Sequence, residues 1–130
     1  MQRIYDYLKK CKIYYLATVD GDQPQVRPFG TIEIIDGSLC VQTGKSKPVS
    51  AQLHANPKIE ICACDGDTWL RVRALAIEDP RVESQEKMLE SYPELKAMYQ
   101  AGDGNTEIFK LTSGVAVFSS FTEAPVIVEF

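Results

Sequence analysis

Apolar and polar positions alternate with two periods along this chain, and the switches between them outline its elements. Ile4, Leu8 and Cys11 recur at helical spacing with Asp6, Lys9 and Lys10 between them, which predicts a short N-terminal helix. Residues 13–19 are dense in β-branched and aromatic side chains and Asp20-Gly21-Asp22 closes them as a turn, so a strand is predicted there. Residues 25–35 read as one long extended segment, and Asp36-Gly37 is a hairpin signal into a strand over 38–43. Pro28 cannot donate to a ladder, so it marks an edge, a bulge or a place where the strand faces something else. A loop over 45–48 then enters a helix carrying Val49, Gln52 and Leu53, which Asn56-Pro57 ends.

The second half repeats the alternation. Strands are predicted over 58–65 and 68–77, joined by Asp65-Gly66-Asp67, and Asp79-Pro80 opens a helical region that closes before Pro93. Leu95, Met98 and Tyr99 add a short turn or helix. Residues 105–111 and 114–121 read as two last strands split by Thr112-Ser113-Gly114, and the apolar tail over 126–130 is expected to be buried. Six or seven strands joined mainly by hairpins, with helices inserted at three points and no βαβ alternation, favour a mainly β protein built as an antiparallel barrel.

Composition narrows the function classes. The 130 residues suit one domain; 45% are apolar and 25% charged, the balance of a folded chain rather than a disordered one. A net charge of −4 argues against nucleic acid as a partner, because sequence-independent binding needs a basic footprint. No apolar run approaches the roughly 18–20 residues that span a bilayer, and residues 1–6 carry no signal-peptide pattern, so a cytoplasmic protein is expected, with no membrane partner.

The four cysteines do not form metal-site spacings. Cys62 and Cys64 alternate along one strand face, there is no Cys-x-x-Cys, and His54 is the only histidine, so no metal site is expected and the thiols read as small buried apolar residues. Nucleotide-binding glycine fingerprints and a Gly-x-Ser-x-Gly elbow are also missing. His54 reads as a helix-surface residue, Lys9, Lys10 and Lys12 as a solvated helix end, and Glu83, Glu86, Lys87 and Glu90 as a wet helix face.

Three segments carry candidate chemistry. Thr43-Gly44-Lys45-Ser46-Lys47 lies between a strand and a helix N-terminus, where N–H groups, hydroxyls and ammonium groups suit a phosphate. In Gln25-Val26-Arg27-Pro28-Phe29-Gly30, alternation puts Arg27, Phe29 and Thr31 on one face, a surface for a flat polar ligand. Trp69, Arg71 and Arg73 share a face, and those arginines need carboxylates, solvent or an anionic ligand.

In this order, an Arg-Pro strand, a Thr-x-x-Ser-Lys loop before a helix ending in Asn-Pro, and a Trp-x-Arg-Val strand resemble the pyridoxamine 5′-phosphate oxidase-like FMN-binding split-barrel family. The likeness is to its small bacterial Nim-type branch. It extends through Tyr92-Pro93-Glu94-Leu95-Lys96-Ala97-Met98-Tyr99 and the ending over 109–119. The resemblance implies a single six-stranded antiparallel split β-barrel over residues 1–130, working as a homodimer with FMN in grooves at the subunit interface. It implies that Ser46 and Lys47 hold the phosphate with Thr43 and Lys45 nearby, that Arg27, Pro28 and Phe29 line the isoalloxazine, that Gln52 is a further polar contact, and that Trp69 and Arg71 lie near the flavin edge or the facing subunit. The namesake's C-terminal Arg-x-His is missing, which argues against vitamin B6 oxidation. The expected activity is an FMN-dependent oxidoreductase taking electrons from NAD(P)H to a small nitroaromatic or quinone-like acceptor. The alternatives are an electron-carrier or redox-sensing flavin module without turnover, or a scaffold for another ligand such as haem or F420.

Overall fold

A computed structural model describes all of residues 1–130. The order is α1 (Gln2–Cys11), β1 (Tyr14–Asp20), β2 (Gln23–Phe29), β3 (Glu33–Ile35), β4 (Ser38–Gly44), α2 (Pro48–Ala55), β5 (Lys58–Asp65), β6 (Thr68–Asp79), α3 (Val82–Ser91), a 3-10 helix (Pro93–Ala97), β7 (Thr106–Ser120) and β8 (Val126–Glu129). The strands form one eight-stranded sheet in the order β2-β1-β5-β6-β7-β4-β3, with β8 also on β7. Every pairing is antiparallel, as in the split barrels the sequence resembles.

Alternation builds the interior. Tyr14 and Leu16 of β1, Ile59, Ile61 and Ala63 of β5, and Leu70, Val72 and Ala74 of β6 point into one core, which Ile4 and Leu8 of α1 and Val49 and Leu53 of α2 complete. Ile4 and Leu8 are four residues apart on one helix face, and burying each removes an aliphatic side chain from water at a gain of about 1.5–3 kcal/mol. Strand β4 is buried on both faces. Its Leu39 and Val41 join the main core, while Cys40 meets Ile35, Met88 and Ile108 in a second small core beneath α3.

The segment expected as one strand over 25–35 is broken at Gly30-Thr31-Ile32. There the chain leaves β2, the edge beside β1, and crosses to β3, the edge beside β4. Side chains replace the missing ladder: the Tyr14 hydroxyl donates to the Thr31 carbonyl, and the Gln42 N–H donates to Thr31 Oγ1 at 3.0 Å. The Tyr92 hydroxyl donates to the Ile32 carbonyl at 2.9 Å and accepts from its N–H at 3.0 Å. Thr31 thus ties β1 to β4 across the split.

The two last strands expected from Thr112-Ser113-Gly114 are one 15-residue strand, β7, which pairs with β4, β6 and β8. Ser113 takes a positive φ of 51°, and opposite it the register with β6 shifts between Arg73 and Leu75. The turn signal is therefore a bulge. The tail pairs as β8 but is only partly covered: Val128 and Phe130 pack on the core, while Ile127 is 64% exposed. The cysteines also depart from expectation. Only Cys40 is buried; Cys62 and Cys64 are exposed, because alternation gives the interior of β5 to Ile59, Ile61 and Ala63.

Candidate functional site

The split opens into a cavity of about 640 Å³. Its walls come from the end of β2 and the crossing (Arg27, Pro28, Phe29, Gly30, Thr31), from β4 (Gln42, Thr43) and from the start of α2 (Lys47, Val49). The end of α1 adds Leu8, Lys9, Lys12 and Ile13, and the segment after α3 adds Tyr92, Glu94, Leu95, Met98 and Tyr99. This volume lies within the roughly 300–1,000 Å³ typical of ligand pockets.

Arg27 is the best-defined charge in it. Nη1 donates to the Leu16 carbonyl at 3.1 Å and to Thr18 Oγ1 at 2.8 Å, and Nη2 donates to Gln52 Oε1 at 2.6 Å. All three acceptors are neutral, and burial pushes the Arg27 pKa down. An arginine nonetheless keeps its proton. The wall therefore carries a half-buried positive charge with no carboxylate partner. Lys9, Lys12 and Lys47 also form no ion pair, and Glu94 is the only acid in the lining. Burial works against the Lys9 ammonium, but its bond to the Tyr92 hydroxyl at 3.1 Å together with the nearby Tyr92, Tyr5 and Glu33 side chains outweighs this and raises the pKa. Phe29, Val49, Leu95 and Met98 supply apolar wall between these charges.

The loop over 43–47 is shaped from outside. Lys45 N–H donates to the Asn105 carbonyl, Ser46 N–H to Asn105 Oδ1 and Lys47 N–H to the Gly44 carbonyl. These N–H groups are spent, so the loop offers an anion its side chains rather than the open amides expected from sequence. Asn105 is held by Asp103, whose carboxylate accepts the Thr106, Gln100 and Asn105 N–H groups and is drawn down to about 2. A Cβ at Gly44 would lie 3.0 Å from the Tyr99 ring, so the ring, which lines the cavity beside the loop, packs directly against this glycine.

Of the residues singled out from sequence, Arg27, Pro28, Phe29, Thr43 and Lys47 line this cavity. Gln52 is one contact behind it, orienting Arg27, and also accepts from Thr18 Oγ1 at 2.5 Å. Lys45 and Ser46 are exposed on the loop beside it. Trp69 and Arg71 lie elsewhere in the same chain, on the outer face of β6. Arg71 and Arg73 both bond Glu60, and Trp69 packs against Phe121 at 5.1 Å beside a smaller cavity of about 330 Å³. Sequence reasoning missed Lys9 and Lys12, assigned to a solvated helix end, and Tyr92, Leu95, Met98 and Tyr99. Apolar spacing read Leu95, Met98 and Tyr99 only as a short turn or helix, and nothing local tells packing on a core from packing on a cavity.

The family model for pyridoxamine 5′-phosphate oxidase matches residues 1–115. A NimC/NimA family protein from Clostridium acetobutylicum is 35% identical and superposes with a TM-score of 0.96, over 100% of this chain and 92% of that one. The chain belongs to the pyridoxamine 5′-phosphate oxidase family, in its NimC/NimA branch. More distant solved structures share the architecture alone. General Stress Protein 26 from Bacillus anthracis is 16% identical at a TM-score of 0.78, covering 99% of this chain and 97% of that one. HupZ from Group A Streptococcus is 18% identical at 0.64, covering 95% and 98%. Comparison with curated proteins gave no match. No helix is long and apolar enough to cross a membrane.

Proposed function

We propose that this chain is an FMN-binding oxidoreductase, with NAD(P)H as electron donor and a small nitroaromatic or quinone-like compound as acceptor. The observation that carries the reading is Arg27, a half-buried cation without a carboxylate partner in the wall of a flavin-sized cavity. A phosphorylated, electron-accepting ring system answers both the cationic and the apolar parts of that wall.

FMN supplies the electron-transfer chemistry that these side chains lack. In this reading Ser46, Lys47, Thr43 and Lys45 take the phosphate, and Phe29 and Pro28 flank the ring. Arg27, oriented by Thr18 and Gln52, places its positive charge where negative charge accumulates on reduction, an electrostatic role that needs no proton transfer. Tyr99 and Tyr92 exclude water from the inner wall.

The functional unit is a homodimer in this reading. Ile13 and Met98 line the cavity yet are 51% and 71% exposed, and a second copy would cover them. Trp69 and Arg71 would reach a flavin only from the facing subunit.

The first test is a visible spectrum of the purified chain after loading with FMN and removing the excess. A retained flavin spectrum is expected, released on denaturation as FMN. No uptake overturns the cofactor assignment, and NAD(P)H oxidation at background across nitroaromatic and quinone acceptors overturns the oxidoreductase while leaving the flavin module.

A further inference from the structure

Away from the cavity, His54 of α2, Glu78 of β6 and Glu107 of β7 converge, with one donor atom from each all within 4.8 Å of one another. We propose that these three residues bind a divalent first-row transition-metal ion. Glu107 is 0% exposed, and no lysine or arginine pairs with it. Its Oε1 accepts from the Ser50 hydroxyl and its Oε2 lies 2.6 Å from His54 Nε2. Glu78 Oε1 lies 3.8 Å from the same nitrogen. A neutral imidazole presents one N–H, so it serves only one of the two carboxylates. A buried carboxylate needs a compensating positive charge, and here one nitrogen and two carboxylates share a deficit that one divalent ion fills.

The spacing suits such an ion. Bonds of about 2.0–2.2 Å in tetrahedral array set ligand atoms about 3.4 Å apart, a value that the 2.6 and 3.8 Å separations straddle. The set of one imidazole and two carboxylates favours zinc, cobalt or manganese over soft cations. His54 and Glu78 are 47% and 29% exposed at their side chains, so the ion enters from that side and keeps positions for water. Ser50, by holding Oε1, turns Oε2 of Glu107 toward the ion. The same contacts exclude a hydrolytic triad, because the Ser50 proton is given to the carboxylate and not to the imidazole. The ion would join α2 to β6 and β7 at one point. None of the three ligands lines the cavity, so the site stands apart from the flavin proposal.

The test is titration of the chelator-treated full chain with Co²⁺, read by visible absorption and thermal melting. One ion per chain is expected, with d–d bands, no thiolate charge-transfer band and a raised Tm. Glu78→Gln and His54→Gln, both at partly exposed positions, are each expected to weaken binding about tenfold or more. No uptake at millimolar Co²⁺, unchanged affinity in both variants, or a thiolate band placing the ion on the exposed Cys62 and Cys64 overturns the proposal.

Discussion

Arg27 is held by a carbonyl, a hydroxyl and an amide oxygen, and a guanidinium so held keeps its whole charge for whatever enters the cavity. Arg27→Met should therefore separate binding from folding. A charge-assisted bond is worth about 1.5–3 kcal/mol, so FMN affinity is expected to fall about 10–100-fold, with a smaller drop in the Tm of the flavin-free chain from the lost bonds to Leu16, Thr18 and Gln52. Fluorescence titration and melting read the two effects. Asp79 behaves oppositely, being 3% exposed and bonded by Arg81 at 2.9 and 2.8 Å and by Ser84 at 2.6 Å. The Arg81 guanidinium beside it holds its carboxyl far below the ordinary range. The folded pKa is depressed, so its stabilisation is complete above the unfolded value of about 4 and is lost as pH falls below it. Asp79→Asn should cost about 2–3 kcal/mol at neutral pH and flatten the acid limb of a Tm-against-pH curve. At this scale the sequence is uneven. Arg27 and Phe29 were legible because strand alternation fixes which face a side chain takes. Glu107 was not, since a glutamate in a strand carries no local sign that Ser50 and His54 will close over it.

Among the elements, the N-terminal helix, the hairpin at Asp36-Gly37 and the turn at Gly66 were legible because their signals are local: helical spacing and glycines with positive φ. The two misread boundaries have one physical origin. Gly30-Thr31-Ile32 ends a strand only because Tyr14, Gln42 and Tyr92, distant in sequence, take over its hydrogen bonds. Thr112-Ser113-Gly114 does not end one because β6 continues the ladder on both sides of it, while the other edge passes from β4 before it to β8 after it. Gly114 exchanges backbone hydrogen bonds with Phe130 at 2.8 and 3.0 Å, and a Cβ there would stand 2.0 Å from the Phe130 ring. Gly114→Ala is thus expected to displace that ring and loosen β8, at an overpacking cost of about 1–3 kcal/mol. Hydrogen exchange should show the amides over 126–130 losing protection while those of β1 and β5 keep theirs.

For the molecule as a whole, the cavity and the proposed dimer are joined through Ile13 and Met98. Sedimentation equilibrium is expected to give a dimer, and Ile13→Glu with Met98→Glu to give monomers that retain FMN poorly; dimers with undiminished FMN affinity would separate the two. One further consequence lies in the order in which the chain is made. Strand β7 is a seam: β4, β6 and β8 all lie against it, yet it occupies residues 106–120. Before a ribosome has delivered it, β2, β1, β5 and β6 can form a four-stranded sheet, but the β3–β4 hairpin has nothing to join. The core faces of both pieces stay open to water until then, and long-range pairing of this kind is slow. Newborn chains would spend that interval as two half-sheets awaiting one strand, which is when a holding chaperone has most to grip.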